Sequence, residues 1–321
     1  MSGVGIILNP RSHQNRRGIA ECREIVRRYP GVAYFEIGDV SQISEALSEF
    51  AARGVDVIGI SGGDGTVQGV VTALLNDNSF DRQPSLAILP AGMTNLIAAN
   101  VGLRGRPEQA LMRLCQSVAA GGPAGKFRTL HVLSLQRTPQ EAPIHGMFMG
   151  TAAFYRAVML TYNEIHPIGA ERHFAVALSI AVAVFRLFAR RNHPKSLWHG
   201  DQIGLGIDDS PVAEREYLLF LATTLDHLIL GLMPFWGEGE GSLKLTSIDF
   251  PPKRLVRALW PLATGRPKPW LAETGYRSGF ARECRLTQTC PIIFDGEIVT
   301  PENGTPVVVR ADRQVTFWQD G

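Results

Sequence analysis

The sequence predicts an α/β domain built on an open sheet, followed by a second domain rich in β-strands. Three observations carry this. Short, mainly apolar runs at Gly5–Leu8, Asp56–Ile60 and Leu86–Pro90 have the length and character of strands buried in a parallel sheet. The segments between them repeat apolar residues at helical spacing. Beyond Gly121-Gly122-Pro123-Ala124-Gly125 the texture changes to strand-like runs spaced by turn residues.

The first run ends at Asn9-Pro10, which puts Asn9 at a strand tip. Between Ser41 and Gly54, the residues Ile43, Leu47, Phe50 and Ala51 fall at i, i+4, i+7 and i+8, with Ser41 available as cap and Gly54 as stop. After the second strand, Val67, Val70, Val71, Leu74 and Leu75 mark another helix. The third strand leads into helices near Leu96–Val101 and Pro107–Ala119. Residues 1–124 thus form the α/β domain, whose ligands belong at the strand C-termini. Residues 125–300 form the β-rich domain, with strands at Leu130–Leu135, Tyr217–Ala222, Leu243–Ile248 and Pro291–Phe294.

At 321 residues and 45% hydrophobic, the chain exceeds what one core usually absorbs, in line with two domains. A net charge of +2 supplies no global field for nucleic acid, so none is expected as a partner. Val4–Leu8 is too short for a signal segment and lacks a basic flank, which predicts a cytoplasmic protein. The run Phe174–Ala189 holds only Ser179 and Arg186 as polar residues and is followed by Arg190, Arg191, His193 and Lys195. It falls short of the roughly 20 apolar residues of a span. A buried core helix and a membrane-surface helix with a basic edge both fit it. Cys22, Cys115, Cys284 and Cys290 form no C-x-x-C pair, and the histidines keep no metal-ligand spacing, so reduced thiols and no transition-metal site are expected.

The chemistry concentrates in Gly62-Gly63-Asp64-Gly65-Thr66, between a predicted strand and a predicted helix. Backbone amides of such a turn can converge on phosphate. Without Cβ atoms the turn approaches an anion closely; Thr66 can cap the helix and Asp64 can hold magnesium or its water shell. Gly121–Lys126 lacks the spacing of a P-loop, and Gly237-Glu238-Gly239-Glu240-Gly241 lacks a preceding βαβ strand, so neither reads as a nucleotide fingerprint. Asp295-Gly296 before Glu297 reads, alone, as a hairpin turn.

Taken together, Leu8-Asn9-Pro10 with Ser12, Gly62–Thr66, Leu89-Pro90-Ala91-Gly92-Met93-Thr94-Asn95 with Ala98, and Phe294-Asp295-Gly296-Glu297 resemble, in order and spacing, the diacylglycerol kinase catalytic-domain family, which includes bacterial lipid kinases, sphingosine kinases and ceramide kinases. The resemblance covers essentially the whole chain. It implies an N-terminal domain like that of NAD kinase and phosphofructokinase, a C-terminal β-sandwich, and last strands (301–321, through Thr305–Arg310 and Val315–Trp318) that return to the first domain. It implies ATP and Mg2+ as cofactors, with Asn9, Gly62, Gly63, Asp64, Gly65, Thr66, Gly92, Thr94 and Asn95 bordering ATP. Asp295 would accept the proton of a lipid hydroxyl, with Glu297 supporting it. The sequence departs from the family at Leu96, where an acidic residue is usual, and at Glu240, which stands for an aspartate of the magnesium-linked network beside Asp64. Because a lipid acceptor lives in a bilayer and no run is long enough to span one, transient peripheral contact with a membrane surface is expected, through the basic Arg190, Arg191 and Lys195, and the resemblance implies a homodimer. Two other readings stay open. One is an NAD kinase, for which Asn163-Glu164 is the available dipeptide. The other is a non-catalytic lipid-binding protein using Phe174–Ala189 and Phe235-Trp236.

Overall fold

The computed structural model describes residues 3–120, 125–164 and 198–319. The Phe174–Ala189 run, the cations Arg190, Arg191 and Lys195, and the Gly121–Ala124 junction lie outside the described residues. The chain divides into two compact units: Met1–Val132, Ile144–Gly146 and Arg313–Gly321 in the first, Leu133–Pro143 and Met147–Asp312 in the second.

In the first unit, strands β1 (Gly3–Leu8), β2 (Ala33–Glu36), β3 (Val55–Gly62) and β4 (Ser85–Pro90) are parallel and stand in the order β4-β3-β1-β2. Helices α1 (Asn15–Arg27), α2 (Ile43–Ala52), α3 (Asp64–Asn76), α4 (Leu96–Val101) and α5 (Pro107–Ala119) connect and cover them. Val4, Ile6 and Leu8 pack with Cys22, Ile25 and Val26 of α1 and with Leu111, Leu114 and Cys115 of α5 in one buried cluster. Ile43, Leu47 and Phe50 of α2 and Val67, Val70 and Val71 of α3 are also buried. Each of these large side chains contributes roughly 1.5–3 kcal/mol when fully removed from water.

Asp39, not Ser41, begins the second helical segment. Its carboxylate accepts the Ser41 amide at 3.0 Å while Gln42 Oε1 accepts the Asp39 amide at 3.3 Å, a reciprocal box over a short 3-10 turn that runs into α2. The segment ends beyond Arg53 at Gly54, whose φ of +66° suits a glycine. Helix α1 was not read from the sequence, although Ile19, Cys22 and Val26 repeat at i, i+3 and i+7.

The second unit is strand-rich and antiparallel. After β5 (Lys126–Gln136) and β6 (Ile144–Gly146), strands β7 (Phe148–Ala152), β8 (Asp201–Ile207), β9 (Ala213–Thr223), β10 (Leu243–Asp249), β11 (Tyr276–Ala281), β12 (Glu283–Gln288), β13 (Ile292–Phe294) and β14 (Glu297–Val299) fan out from β9. The second half of β9 pairs with β7 on one side and β10 on the other, and its first half with β8. Helix α7 (Leu255–Thr264; α6 is Ala153–Glu164) seats Leu255 and Ala258 in a cluster with Leu218, Ile248, Leu271 and Tyr276. The two strands expected at Thr305–Arg310 and Val315–Trp318 are one, β15 (Val307–Gln319). Exposed Asp312, Arg313 and Gln314 interrupt the apolar pattern without interrupting the extended backbone.

Candidate active site

Parallel order and register bring three strand ends to one place in the first unit. Leu8 pairs with Ser61 and Gly62 with Pro90, so the chain leaves β1, β3 and β4 side by side at their C-terminal ends. Sheet order reverses between β1 and β3, the position where open α/β sheets take ligands.

Asn9 is fixed there three ways. Its amide donates to Ser61 O at 2.9 Å, its Oδ1 accepts the Arg11 amide at 2.9 Å, and its Nδ2 donates to Thr66 Oγ1 at 2.9 Å. Beneath it sits Asn15, fully buried and unmarked by any sequence pattern. Asn15 Nδ2 donates to the carbonyls of Asn9 (2.8 Å) and Ser61 (2.9 Å), and its Oδ1 accepts Ser61 Oγ at 3.0 Å. Polar clamps of this kind escape sequence reading because only their partners, here Asn9 and, 46 residues away, Ser61, give them meaning.

Gly63 caps α3 with an extended backbone and no side-chain cap bond, so Thr66 is not the cap. Its hydroxyl is turned to Asn9, and Thr66 packs against Gly62, where a Cβ would stand 2.5 Å from Thr66 Cβ. Gly65 lies in the first turn of α3, whose leading amides have no carbonyl of their own helix to bond. A Cβ on Gly92 would stand 2.6 Å from Gly63 Cα, so the loops after β3 and β4 meet backbone to backbone.

The second loop is held by Asn95, a left-handed residue (φ 48°) whose Oδ1 accepts the Gly92 amide at 2.7 Å. Asn is among the few residues that take this conformation readily. Asp64 then joins the loops: Oδ2 accepts the Leu96 amide and Oδ1 the Ile97 amide, both at 3.2 Å. The carboxylate thereby complements the N-terminus of α4. Leu96 donates its amide to Asp64 and buries its side chain where the family's usual acid would stand. Thr94 is exposed on the loop surface. Arg11 and Arg16, also unread from the sequence, stand exposed beside the Asn9 tip, with Arg16 Nε donating to Arg11 O at 3.0 Å.

In the second unit Asp295 is 5% exposed and occupies the two-residue turn between β13 and β14. Asp295 and Gly296 both have positive φ (48° and 96°), the conformation of a tight primed hairpin. Asp295 is thus both a turn residue and a placed carboxylate. Oδ2 accepts the Met147 amide at 2.8 Å and Oδ1 the Phe148 amide at 2.9 Å. Thr223 Oγ1 donates to Met147 O at 2.7 Å, holding that donor strand in turn. Glu297 opens β14, paired with Phe294 and exposed; no hydrogen bond between it and Asp295 occurs among the described residues.

Glu240 is exposed in a loop laid along β11. Cβ atoms on Gly237, Gly239 and Gly241 would come within 2.0–2.5 Å of the carbonyl oxygens of Ser278, Phe280 and Ala281, so alternate glycines there serve backbone packing. Among the described residues, no group of three His, Cys, Asp or Glu side chains is placed to hold a metal together, and no helix is long and apolar enough to cross a membrane.

Residues 3–125 match the model of the diacylglycerol kinase catalytic domain. A Stenotrophomonas maltophilia protein named "Probable lipid kinase YegS-like" is 26% identical over 278 residues, covering 83% of this chain and 84% of its own. A Pseudomonas aeruginosa protein of the same name is 26% identical over 221 residues, 67% of this chain and 65% of its own. The solved structure of a diacylglycerol kinase from Bacillus anthracis shares the fold, with a TM-score of 0.61, 15% identity and coverage of 98% of this chain and 96% of that one. The matching domain and both named relatives are those of lipid kinases. Over residues 3–125 the chain is thus similar to the diacylglycerol kinase catalytic domain.

Proposed function

We propose that the chain transfers the γ-phosphoryl group of Mg-ATP to the hydroxyl of a membrane lipid such as diacylglycerol or a sphingoid or ceramide lipid. The observation that carries this is the backbone contact of Gly63 and Gly92 beside the tips of β1, β3 and β4. It makes a surface of amides, free of side-chain bulk, on which a polyphosphate can lie. Asn9 and Thr66 fix one rim and Asn95 the other, while Arg11 and Arg16 offset phosphate charge.

Oxygen donors with at most one or two carboxylates suit magnesium, which keeps much of its shell as water and phosphate oxygen. Asp64 would hold the ion, as the carboxylate that opens α3 beside the Gly63–Gly92 contact. Bound there, magnesium would neutralise charge on the phosphates. Asp295 serves as the base: it is a buried carboxylate whose direction the Met147 and Phe148 amides fix. As the hydroxyl oxygen bonds to the γ-phosphorus, its proton passes to Asp295 and the bond to the β-phosphate oxygen breaks, leaving ADP. The acceptor's chemistry places this work at a membrane surface.

The test is transfer of labelled γ-phosphate from Mg-ATP into a panel of detergent-dispersed lipids, with NAD as a separate acceptor. Label in one lipid class supports the reading and names the acceptor. Label in NAD alone, or in nothing while the protein is folded, overturns it.

A further inference from the structure

Nine large apolar side chains among the described residues are exposed, and four of them belong to two neighbouring segments of the second unit. Val256 (67% exposed) and Trp260 (72%) lie at i, i+4 on the outer face of α7, whose inner face is buried through Leu255, Ala258 and Pro261. Leu230 (54%) and Met233 (45%) lie in a turn tied to the same helix, where the Met233 amide donates to Ala263 O at 3.0 Å. The remaining five are spread singly over the sequence, as is ordinary for a protein surface.

Along α7 and its two flanks the charge is of one sign only. From Lys253 to Lys268 the sequence has Lys253, Arg254, Arg257, Arg266 and Lys268 and no Asp or Glu. All five are exposed. Arg254 lies over the Trp270 ring at 5.9 Å, and none of the five takes part in an ion pair among the described residues. Exposing a tryptophan and a valine one helical turn apart opposes the hydrophobic effect unless something covers them, and cations on the same helix and its flanks, outside any ion pair among the described residues, select an anionic cover.

We propose that α7 and the Leu230–Met233 turn form an in-plane anchor that seats on an anionic lipid bilayer, with Trp260, Val256 and Met233 entering the headgroup boundary and Arg257, Arg266 and Lys268 meeting lipid phosphates. Trp is suited to that depth, where its ring is apolar and its N–H stays wet. A second copy of the chain fits the patch less well. Four side chains fall far below the roughly 20–30 residues a side of a stable interface, and pairing this face with itself would oppose cation to cation. The inference rests on this surface alone and not on the phosphotransfer reading.

The full chain would be floated with vesicles of phosphatidylcholine alone and of phosphatidylcholine mixed with phosphatidylglycerol. Binding is expected only to the mixed vesicles and to weaken with salt. Each cation near such a surface contributes about a factor of five, so Arg257→Glu with Arg266→Glu and Lys268→Glu lowers affinity roughly a hundredfold or more. Trp260→Ser with Val256→Ser also lowers it, and Trp260→Phe, which keeps the apolar body, retains binding but loses most of the quenching by brominated acyl chains. These variants keep phosphotransfer in detergent micelles, which separates failure of the anchor from failure of the enzyme reading. Three results overturn the proposal: a parent that binds no vesicle, triple-charge or double-serine variants that bind like the parent, or a double-serine variant that changes only the oligomeric state.

Discussion

Asp295 and Phe148 are bonded in both directions: the Phe148 amide donates to the Asp295 carboxylate at 2.9 Å, and the Asp295 amide donates to Phe148 O at 3.0 Å. The carboxylate of the proposed base is therefore also a structural acceptor, and Asp295→Asn removes two things at once. It abolishes the base, for which a loss of about 10²–10⁴ in kcat is expected. It also turns an NH2 group towards the Met147 or Phe148 amide, which costs roughly 1–3 kcal/mol. Turnover and urea unfolding measured on the same preparation separate the two. A variant that loses stability but keeps turnover would remove Asp295 from the chemistry.

Glu297 gives the contrasting case. It is exposed on a hairpin edge, so Glu297→Gln should move the unfolding midpoint by no more than about 0.5 kcal/mol. Any sizeable fall in kcat is then free of a folding explanation and assigns Glu297 to the reaction; unchanged kcat removes it.

The Gly63–Gly92 contact leaves no room for a methyl group. In Gly92→Ala the new Cβ would stand 2.6 Å from Gly63 Cα and 2.8 Å from Asn95 Oδ1, both parts of well-held backbone turns. Overpacking of this kind costs about 1–3 kcal/mol. The loops must separate, so KM for ATP should rise with the fall in thermal midpoint. Unchanged nucleotide affinity would show that the two loops do not border ATP together.

Thr66 offers a sharper probe of the same rim because its shape can be kept. Thr66→Val preserves volume but deletes the acceptor of Asn9 Nδ2, whereas Thr66→Ser keeps it. With Thr66 only 5% exposed, the valine variant should lose roughly 1–3 kcal/mol by calorimetry and the serine variant clearly less. A serine variant that loses more than the valine variant would place the stabilisation in the methyl group's packing against Gly62.

Much of the first unit is legible in the sequence because buried parallel strands and amphipathic helices write their periods into it. Helices α4 and α5 fall at Leu96–Val101 and Pro107–Ala119 as the pattern predicts. The site is less legible for a physical reason. Asp64 looks like a metal ligand in a glycine-rich loop, and only the fold reveals that its oxygens meet the Leu96 and Ile97 amides 32 and 33 residues on. Gly237–Gly241 looks like a loop motif until its glycines are seen against β11 carbonyls. Asn15 carries no period at all, since a buried polar clamp is defined by partners and not by spacing.

Acid should weaken the first unit through Glu36. Arg23 Nε and Nη2 donate to its two oxygens at 2.7 and 2.8 Å, and Tyr34 Oη donates at 2.5 Å. The Arg23 hydrogen bond holds the Glu36 carboxyl below its ordinary value of 4.5, aided by Tyr34 and opposed by partial burial. A folded-state pKa below the unfolded one means that the unfolded chain binds the proton more readily. The stabilisation is therefore complete above the unfolded carboxyl value and is lost as pH falls through the lower folded value. The pair is largely open to solvent, so salt should reduce the effect. Glu36→Gln should give a lower urea midpoint than the parent at pH 7, and the two curves should converge in acid once the folded carboxyl is protonated. A gap that persists unchanged into acid would mean that the side chain's shape, and not its charge, stabilises the end of β2.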